Sequence, residues 1–326
     1  MGRARVATTC LASRFFGTIE ENRRYALKLV DQCLKLKPDL VCLPEAFTVA
    51  GIRYKHAEEV AEELDGPTVK ILSRKAIDGN CYIICPLLTK REGKVWNSTV
   101  IIGRDGEVVG IYDKVHPVTS SHDYTVFENG VTSGREYPVF DLDIGRVGIQ
   151  ICFDICFPEG WFELGRKGVK ILFWVSAYNG GFPLQAYACI NKYYIVTSVR
   201  TDKSVIIDPC GRILAQTDYW VNVIHYDLNT DYVVCHYDFN YSIPDIIASR
   251  YSDKVKVQSY GDESLFIVEP LVENVKTEDL QKELGFESFQ QYIERHLTAY
   301  KLLHSGATSQ PQKTAHGSRP QYQKWL

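Results

Sequence analysis

The chain has 326 residues, 45% of them hydrophobic and 24% charged, with a formal net charge of -3. That is the composition of a globular protein with one large core or two small ones. It lacks the basic excess of a nucleic-acid binder, and no apolar run approaches the roughly 20 residues that span a bilayer. The first residues form no signal-like apolar block, so the 10 cysteines are expected as free thiols in a reducing cytoplasm. In that compartment the Asn97-Ser98-Thr99 sequon carries no meaning. None of the cysteines forms a C-x-x-C pair, which argues against a zinc site or a dithiol centre.

Residues 4–12 read as a strand, with Val6, Thr8 and Cys10 alternating. Thr18 to Glu21 resembles a capping box, and Tyr25, Ala26, Leu29, Val30, Cys33 and Leu34 then lie on one helical face. Pro38 stops that helix. Residues 40–43 form a short apolar strand that ends in Pro44-Glu45. A second helix is predicted over 68–76 and a buried strand over 81–85. Residues 95–102 and 108–112 read as a hairpin turned at Asp105-Gly106. Its second strand ends in Asp113-Lys114. Residues 118–140 lack periodicity and read as a long irregular loop.

The stretch 145–159 is the most informative. Val147, Ile149 and Ile151 form a strand that delivers Cys152, and Pro158 opens a helix just beyond. A strand that ends in a nucleophile and turns into a helix presents the side chain at a sheet edge, beside backbone N–H groups able to meet a developing negative charge. Asp154 and Glu159 are placed to complement that helix dipole. Cys156, one turn on, reads as a packing residue. A strand over 169–175, a helix over 184–191 and strands at 194–198, 205–207 and 213–215 follow, with a late strand at 233–237. The fragments 101–110 and 206–215 share a strand-glycine turn-strand pattern, which points to two similar halves. Helices are predicted at 278–284 and 286–296, and 305–326 reads as a poorly ordered tail.

Three apolar strands thus end in Glu45, Lys114 and Cys152. A thiol needs a base, a carboxylate can take its proton, and an ammonium can stabilise an oxyanion. The segments Leu43-Pro-Glu45-Ala-Phe47, Tyr112-Asp-Lys114-Val-His116-Pro117 and Ile151-Cys152-Phe-Asp-Ile-Cys-Phe-Pro-Glu159 resemble the signature blocks of the nitrilase superfamily, the carbon–nitrogen hydrolases. The resemblance covers about residues 4 to 270 and includes Trp174-Val-Ser-Ala177 and Ile207-Asp-Pro-Cys-Gly211.

The resemblance implies an α/β fold, a four-layer α-β-β-α sandwich with two pseudo-symmetric halves. It assigns 1–270 to the hydrolase domain and 271–304 to a C-terminal helical extension suited to a dimer interface, so a homodimer or higher homo-oligomer is expected. Cys152 is then the nucleophile and Glu45 the general base. Lys114 stabilises the oxyanion with the backbone N–H of Phe153, and Glu128 is the candidate for a supporting second glutamate. No metal or organic cofactor is required. The residues after Cys152 favour a small-molecule amide or N-carbamoyl substrate over a nitrile. An acyltransferase or a non-catalytic scaffold are the rival classes. Tyr54, Tyr124, Phe127, Tyr178, Asn179 and Phe182 are candidate pocket residues. Arg53, Lys55, His116 and Arg200 are candidates for a substrate carboxylate. The family's Arg-Ala-x-Glu-Asn helix pattern is missing: residues 186–191 read Ala-Tyr-Ala-Cys-Ile-Asn.

Overall fold

A computed structural model describes residues 2–119 and 122–311. They form two compact units, one of Arg3–Thr230 and one from Asp231 onward that also takes in Gly2.

The first unit begins β1 (Arg3–Thr9), α1 (Ile19–Leu34), β2 (Leu40–Cys42), α2 (Pro67–Gly79), β3 (Tyr82–Arg91), β4 (Lys94–Ile102) and β5 (Val108–Asp113). After the short β6 (Val131–Thr132) and β7 (Phe140–Leu142) come β8 (Gly145–Ile151), α3 (Pro158–Arg166), β9 (Ile171–Ser176), α4 (Phe182–Asn191), β10 (Tyr194–Val199), β11 (Val205–Ile207), β12 (Ile213–Gln216) and β13 (Val223–Asn229). Among the described residues, one sheet runs β13-β1-β2-β3-β4-β5, with β6 on β4, and the other runs β12-β11-β10-β9-β8-β7.

The duplication is explicit in the pairing. Strands β1, β2 and β3 are parallel, and β4 and β5 follow antiparallel. Strands β8, β9 and β10 are likewise parallel, followed by antiparallel β11 and β12. Both hairpins shift register at the same place, Ile101/Ile102 in one and Ile206/Ile207 in the other. Both then turn on a left-handed glycine, Gly106 at φ 82° and Gly211 at φ 91°, which a side chain would strain.

Helices cover the outer faces. Ala26, Leu29, Val30 and Cys33 of α1 and Val69, Leu72 and Ala76 of α2 bury against the first sheet. Trp161 and Leu164 of α3 and Leu184 and Ala188 of α4 bury against the second. The sheets meet face to face where β1 crosses β10: the Thr8 hydroxyl donates to Thr197 O (2.6 Å) and the Ser198 hydroxyl to Thr9 O (2.8 Å). The result is the α-β-β-α sandwich. Thr18 caps α1 by accepting from Glu21 N–H at 3.2 Å. The Glu21 carboxylate, however, accepts from the Thr18 hydroxyl (2.9 Å) in place of the Thr18 N–H that a reciprocal capping box would use.

The second unit holds β14 (Val233–His236), α5 (Ile243–Arg250), β15 (Val255–Tyr260), β16 (Leu265–Pro270), α6 (Thr277–Leu284) and α7 (Phe289–His304). Its antiparallel sheet, ordered β14-β16-β15, buries Cys235, Phe266 and Val268 with Ile243, Ile247, Leu280 and Leu284. The compact boundary therefore falls at Thr230/Asp231 rather than near 270, because these strands share a core with the C-terminal helices. Of the expected tail, 305–311 carries no regular element and 312–326 lies outside the described residues. Among the described residues no helix is long and apolar enough to cross a membrane.

Candidate active site

Three strand ends of the first unit converge. Glu45 lies three residues beyond β2, and the next residue, Ala46, takes a left-handed φ of 39°. Lys114 directly follows β5, and its N–H donates to Asn97 O (2.9 Å), prolonging the β4–β5 ladder. Cys152 directly follows β8. All three are buried, with Glu45 4%, Lys114 1% and Cys152 8% exposed. An ammonium so deep needs carboxylate partners, and it has two. Lys114 Nζ donates to Glu45 Oε1 at 3.1 Å and to Glu128 Oε1 at 2.5 Å. Val118 N–H also donates to Glu128 Oε1 (3.1 Å), which ties the loop to the cluster.

Asn97 completes the network. Its Nδ2 donates to Glu45 Oε1 (2.9 Å) and to Glu128 Oε2 (3.0 Å). Arg200 braces the Glu45 backbone from the other half of the fold, with Nε on Glu45 O (2.6 Å) and Nη2 on Ala46 O (3.3 Å). These contacts set the charge states. Burial opposes ionisation of Glu45, but Lys114, Arg200 and Asn97 together outweigh it and hold its pKa below the usual carboxylate value. Burial also opposes the Lys114 charge, and Glu45, Glu128 and Cys152 overcome it, raising the Lys114 pKa. Cys152 goes the other way. Burial first, then the Glu45 charge, push its thiol up to about 12, against the opposing pull of Lys114, the Ala177 N–H and the Ser176 hydroxyl. The resting pair is therefore a neutral thiol beside an ionised carboxylate.

Cys152 sits at φ 50°, left-handed and non-glycine, a conformation that costs on the order of 1–3 kcal/mol and persists only where surroundings enforce it. It opens a five-residue 3-10 turn, Cys152–Cys156. Trp174 Nε1 donates to Cys152 O at 3.1 Å. In a trans peptide the C=O and the next N–H point in opposite directions, so this bond fixes where the Phe153 N–H points. The 3-10 geometry also corrects the reading of Cys156. Three residues per turn eclipse i with i+3 rather than i+4. Ile155 is accordingly buried (7% exposed) and Cys156 is exposed.

A family model described as carbon-nitrogen hydrolase matches residues 5–234. The chain belongs to the carbon–nitrogen hydrolase family, within the nitrilase superfamily. The deaminated glutathione amidase of Dictyostelium discoideum is 27% identical over 245 residues, 66% of this chain and 84% of that protein. The beta-ureidopropionase of Arabidopsis thaliana is 31% identical over 186 residues, 52% of this chain and 45% of that protein. Among solved structures, Saccharomyces cerevisiae Nit3, a member of branch 10 of the nitrilase superfamily, superposes with a TM-score of 0.60 at 21% identity, covering 77% of this chain and 96% of its own.

Within this hydrolase fold the candidate pocket residues separate. The Tyr178 ring meets Trp174 edge-on at 5.6 Å. Its phenol is pushed up to about 12, by burial first and then by the charges of Cys152, Cys156 and Glu45. Burial also raises the Tyr54 phenol, which feels Arg200, Glu128, Glu45 and Lys114. Phe127 is half-buried, and its carbonyl accepts from Gly130 and Val131 N–H (2.8 Å each), shaping the turn that carries Glu128. Tyr124 and Phe182 stand in solvent, 79% and 75% exposed. The Asn179 amide is engaged by the following loop, with Oδ1 accepting from the Thr201 hydroxyl and Lys203 N–H and Nδ2 donating to Asp202. Arg53 and Lys55 are exposed. Arg200, a candidate for a substrate carboxylate, is committed to the two carbonyls behind Glu45. Helix α4, which lacks the family's Arg-Ala-x-Glu-Asn pattern, is anchored by neutral contacts: Tyr187 Oη donates to Ile155 O (3.0 Å), its ring stacks on Trp161 at 4.3 Å, and Gln185 Nε2 donates to Gly211 O (2.9 Å).

Sequence assigns no role in the site to Asn97 or Trp174: Asn97 lies mid-strand inside an apparent glycosylation sequon, and Trp174 only opens the Trp174-Val-Ser-Ala177 block of the family resemblance. Only the pairing of β4 with β5, and of β8 with β9, aims them at the site.

Proposed function

We propose that this protein hydrolyses a non-peptide C–N bond, an amide or N-carbamoyl group on a small molecule, through a thioester on Cys152. The observation that carries the reading is the strained, buried Cys152 facing an ionised Glu45 that shares Lys114 with Glu128. In the first step Cys152 Sγ attacks the substrate carbonyl as its proton passes to Glu45. The electron pair moves to the carbonyl oxygen, which Lys114 and the Phe153 N–H stabilise. The intermediate collapses, the C–N bond breaks, and Glu45 returns the proton to the leaving nitrogen. Water then attacks the thioester, gives its proton to Glu45, and the C–S bond breaks to restore the thiol. Lys114 keeps its proton throughout, which suits its raised pKa.

The names of the amidase and ureidopropionase relatives describe amide and ureido substrates, which supports that class; the preference over nitriles rests on the residues that follow Cys152. A cytoplasmic homodimer using the C-terminal helices belongs to the same reading. It is supported by the apolar stripe of α7, where Ile293, Leu297 and Tyr300 are 39%, 53% and 51% exposed, and sedimentation velocity checks it. The test of the activity is ammonia release from a panel of small amides, N-carbamoyl amino acids and nitriles. Turnover of an amide or carbamoyl compound that vanishes in Cys152→Ala supports the reading. Turnover confined to nitriles, or surviving in Cys152→Ala, overturns it.

A further inference from the structure

Asp154 lies two residues beyond the nucleophile, where sequence alone offers it only a helix dipole. The structure buries it fully, at 0% exposed, and surrounds its carboxylate with donors. Oδ2 accepts from Ile151 N–H (2.9 Å) and from the Tyr112 hydroxyl (2.7 Å). Oδ1 accepts from His116 N–H (2.9 Å) and lies 2.8 Å from His116 Nδ1. The last contact requires the Nδ1–H tautomer.

The origin of these donors is the point. Ile151 immediately precedes Cys152. Tyr112 and His116 stand two residues before and two residues after Lys114. One carboxylate therefore grips the chain at the nucleophile and on both sides of the lysine, across the two halves of the duplicated fold. Each grip is itself held. Gln150 Nε2 donates to the Tyr112 hydroxyl oxygen at 3.3 Å. Burial, and then the Asp154 charge, keep that phenol protonated and donating. The His116 ring stacks on Phe157 at 3.8 Å with a 6° interplanar angle. Trp161 Nε1 donates to the Asp154 carbonyl at 3.0 Å, pinning the turn from α3.

We propose that Asp154 is a positioning residue that sets the placement of Cys152 relative to Lys114 by bridging the strained turn after β8 to the end of β5. The inference rests on the hydrolase reading above but concerns a residue that touches neither substrate nor reacting atoms. It explains what enforces the left-handed Cys152: the residue before it, Ile151 through its N–H, and the residue two beyond it, Asp154 through its side chain, are fixed to one another. It also predicts a large cost for a small change. Asparagine has the same shape but only one acceptor oxygen, so two of the four donors would face an NH2 group. The bridge would part on one side, and a shift of about 1 Å between reacting groups costs about 100-fold in rate.

The experiment compares Asp154→Asn with the parent on a substrate whose turnover disappears in Cys152→Ala, with rates normalised to folded protein. The expected result is a fall in kcat of about 100-fold with KM within about threefold. A crystal structure of the variant should show Lys114 Nζ displaced relative to Cys152 Sγ. Parent-like kcat, or an unshifted pair of atoms, overturns the proposal. If Asp154→Asn does not fold, Tyr112→Phe decides, because it removes one donor and keeps the ring. A kcat lowered about tenfold at unchanged KM supports the bridge, and an unchanged kcat refutes it. If no compound in the panel depends on Cys152, the hydrolase reading fails while the crystallographic comparison still judges the bridge.

Discussion

Asn97 offers the sharpest check on the charge arrangement. Leucine at this position keeps the approximate volume and removes the amide. The Asn97 Oδ1 atom has no hydrogen-bond partner among the described residues, so the substitution deletes only the donor side. What it deletes is one nitrogen bonded to Glu45 at 2.9 Å and to Glu128 at 3.0 Å. Hydrogen bonds to ionised acceptors contribute about 1.5–3 kcal/mol each, and about 1.4 kcal/mol corresponds to one pKa unit. Losing the Glu45 bond alone should therefore raise its pKa by about one to two units. Lys114 and Arg200 remain, so Glu45 stays ionised at neutral pH. In the proposed mechanism Glu45 acts as base only when deprotonated, and its folded pKa is depressed, so activity should be lost as pH falls through that value. In Asn97→Leu this acid limb should move to higher pH by about one to two units. The assay is kcat/KM from pH 4 to pH 9 on both proteins, with circular dichroism at each pH to confirm folding. Superimposable acid limbs in two folded proteins would refute the role given to Asn97.

The alkaline side makes a separate prediction. With the thiol pushed up to about 12, only a trace of the protein carries a thiolate at neutral pH. The reacting species is then the thiol–carboxylate pair, and kcat/KM should be level between pH 7 and 9; a tenfold rise per pH unit would show that free thiolate reacts instead. Glu45→Gln should lower kcat by about 100-fold or more, and Cys152→Ala should abolish turnover while keeping the parent melting temperature within a few degrees; parent-like rates in either would remove that residue from its role. Cys156→Ser should leave turnover near the parent value and should eliminate the fastest iodoacetamide label, since Cys156 is the exposed thiol of the turn. A loss as deep as that of Cys152→Ala would mean the nucleophile is misassigned.

Residue pattern foretold the frame of the fold for physical reasons that can be named. The parallel strands of both halves are short apolar runs closed by proline, glycine or charge, and the two hairpins repeat the same strand-glycine-strand text. The late strands were harder. Strand β15 (Val255–Tyr260) mixes Lys256, Gln258 and Ser259 with apolar residues, and β16 (Leu265–Pro270) is a short apolar run without a period of its own. Their shared core with α5 and α6 depends on pairing, which sequence does not state. The site follows the same division. Glu45, Lys114 and Cys152 stand out because each is a reactive group ending an apolar run. Asn97, Arg200 and Asp154 act through long-range contacts, and their roles emerge only once β4, β10 and β8 are laid beside their partners. Cys156 is exposed rather than packed because the turn after Cys152 is 3-10 and not α-helical, a difference of one residue in what lies beneath Cys152.

In the proposed mechanism Cys152 carries a covalent acyl group during turnover. Intact-protein and peptide mass spectrometry of the enzyme, quenched in acid during turnover of the best substrate, measures this directly. The expected result is an added mass equal to the acyl or carbamoyl group, located on the peptide containing Cys152 and released by hydroxylamine. Turnover with no adduct under single-turnover quench, or an adduct on another residue, would contradict it.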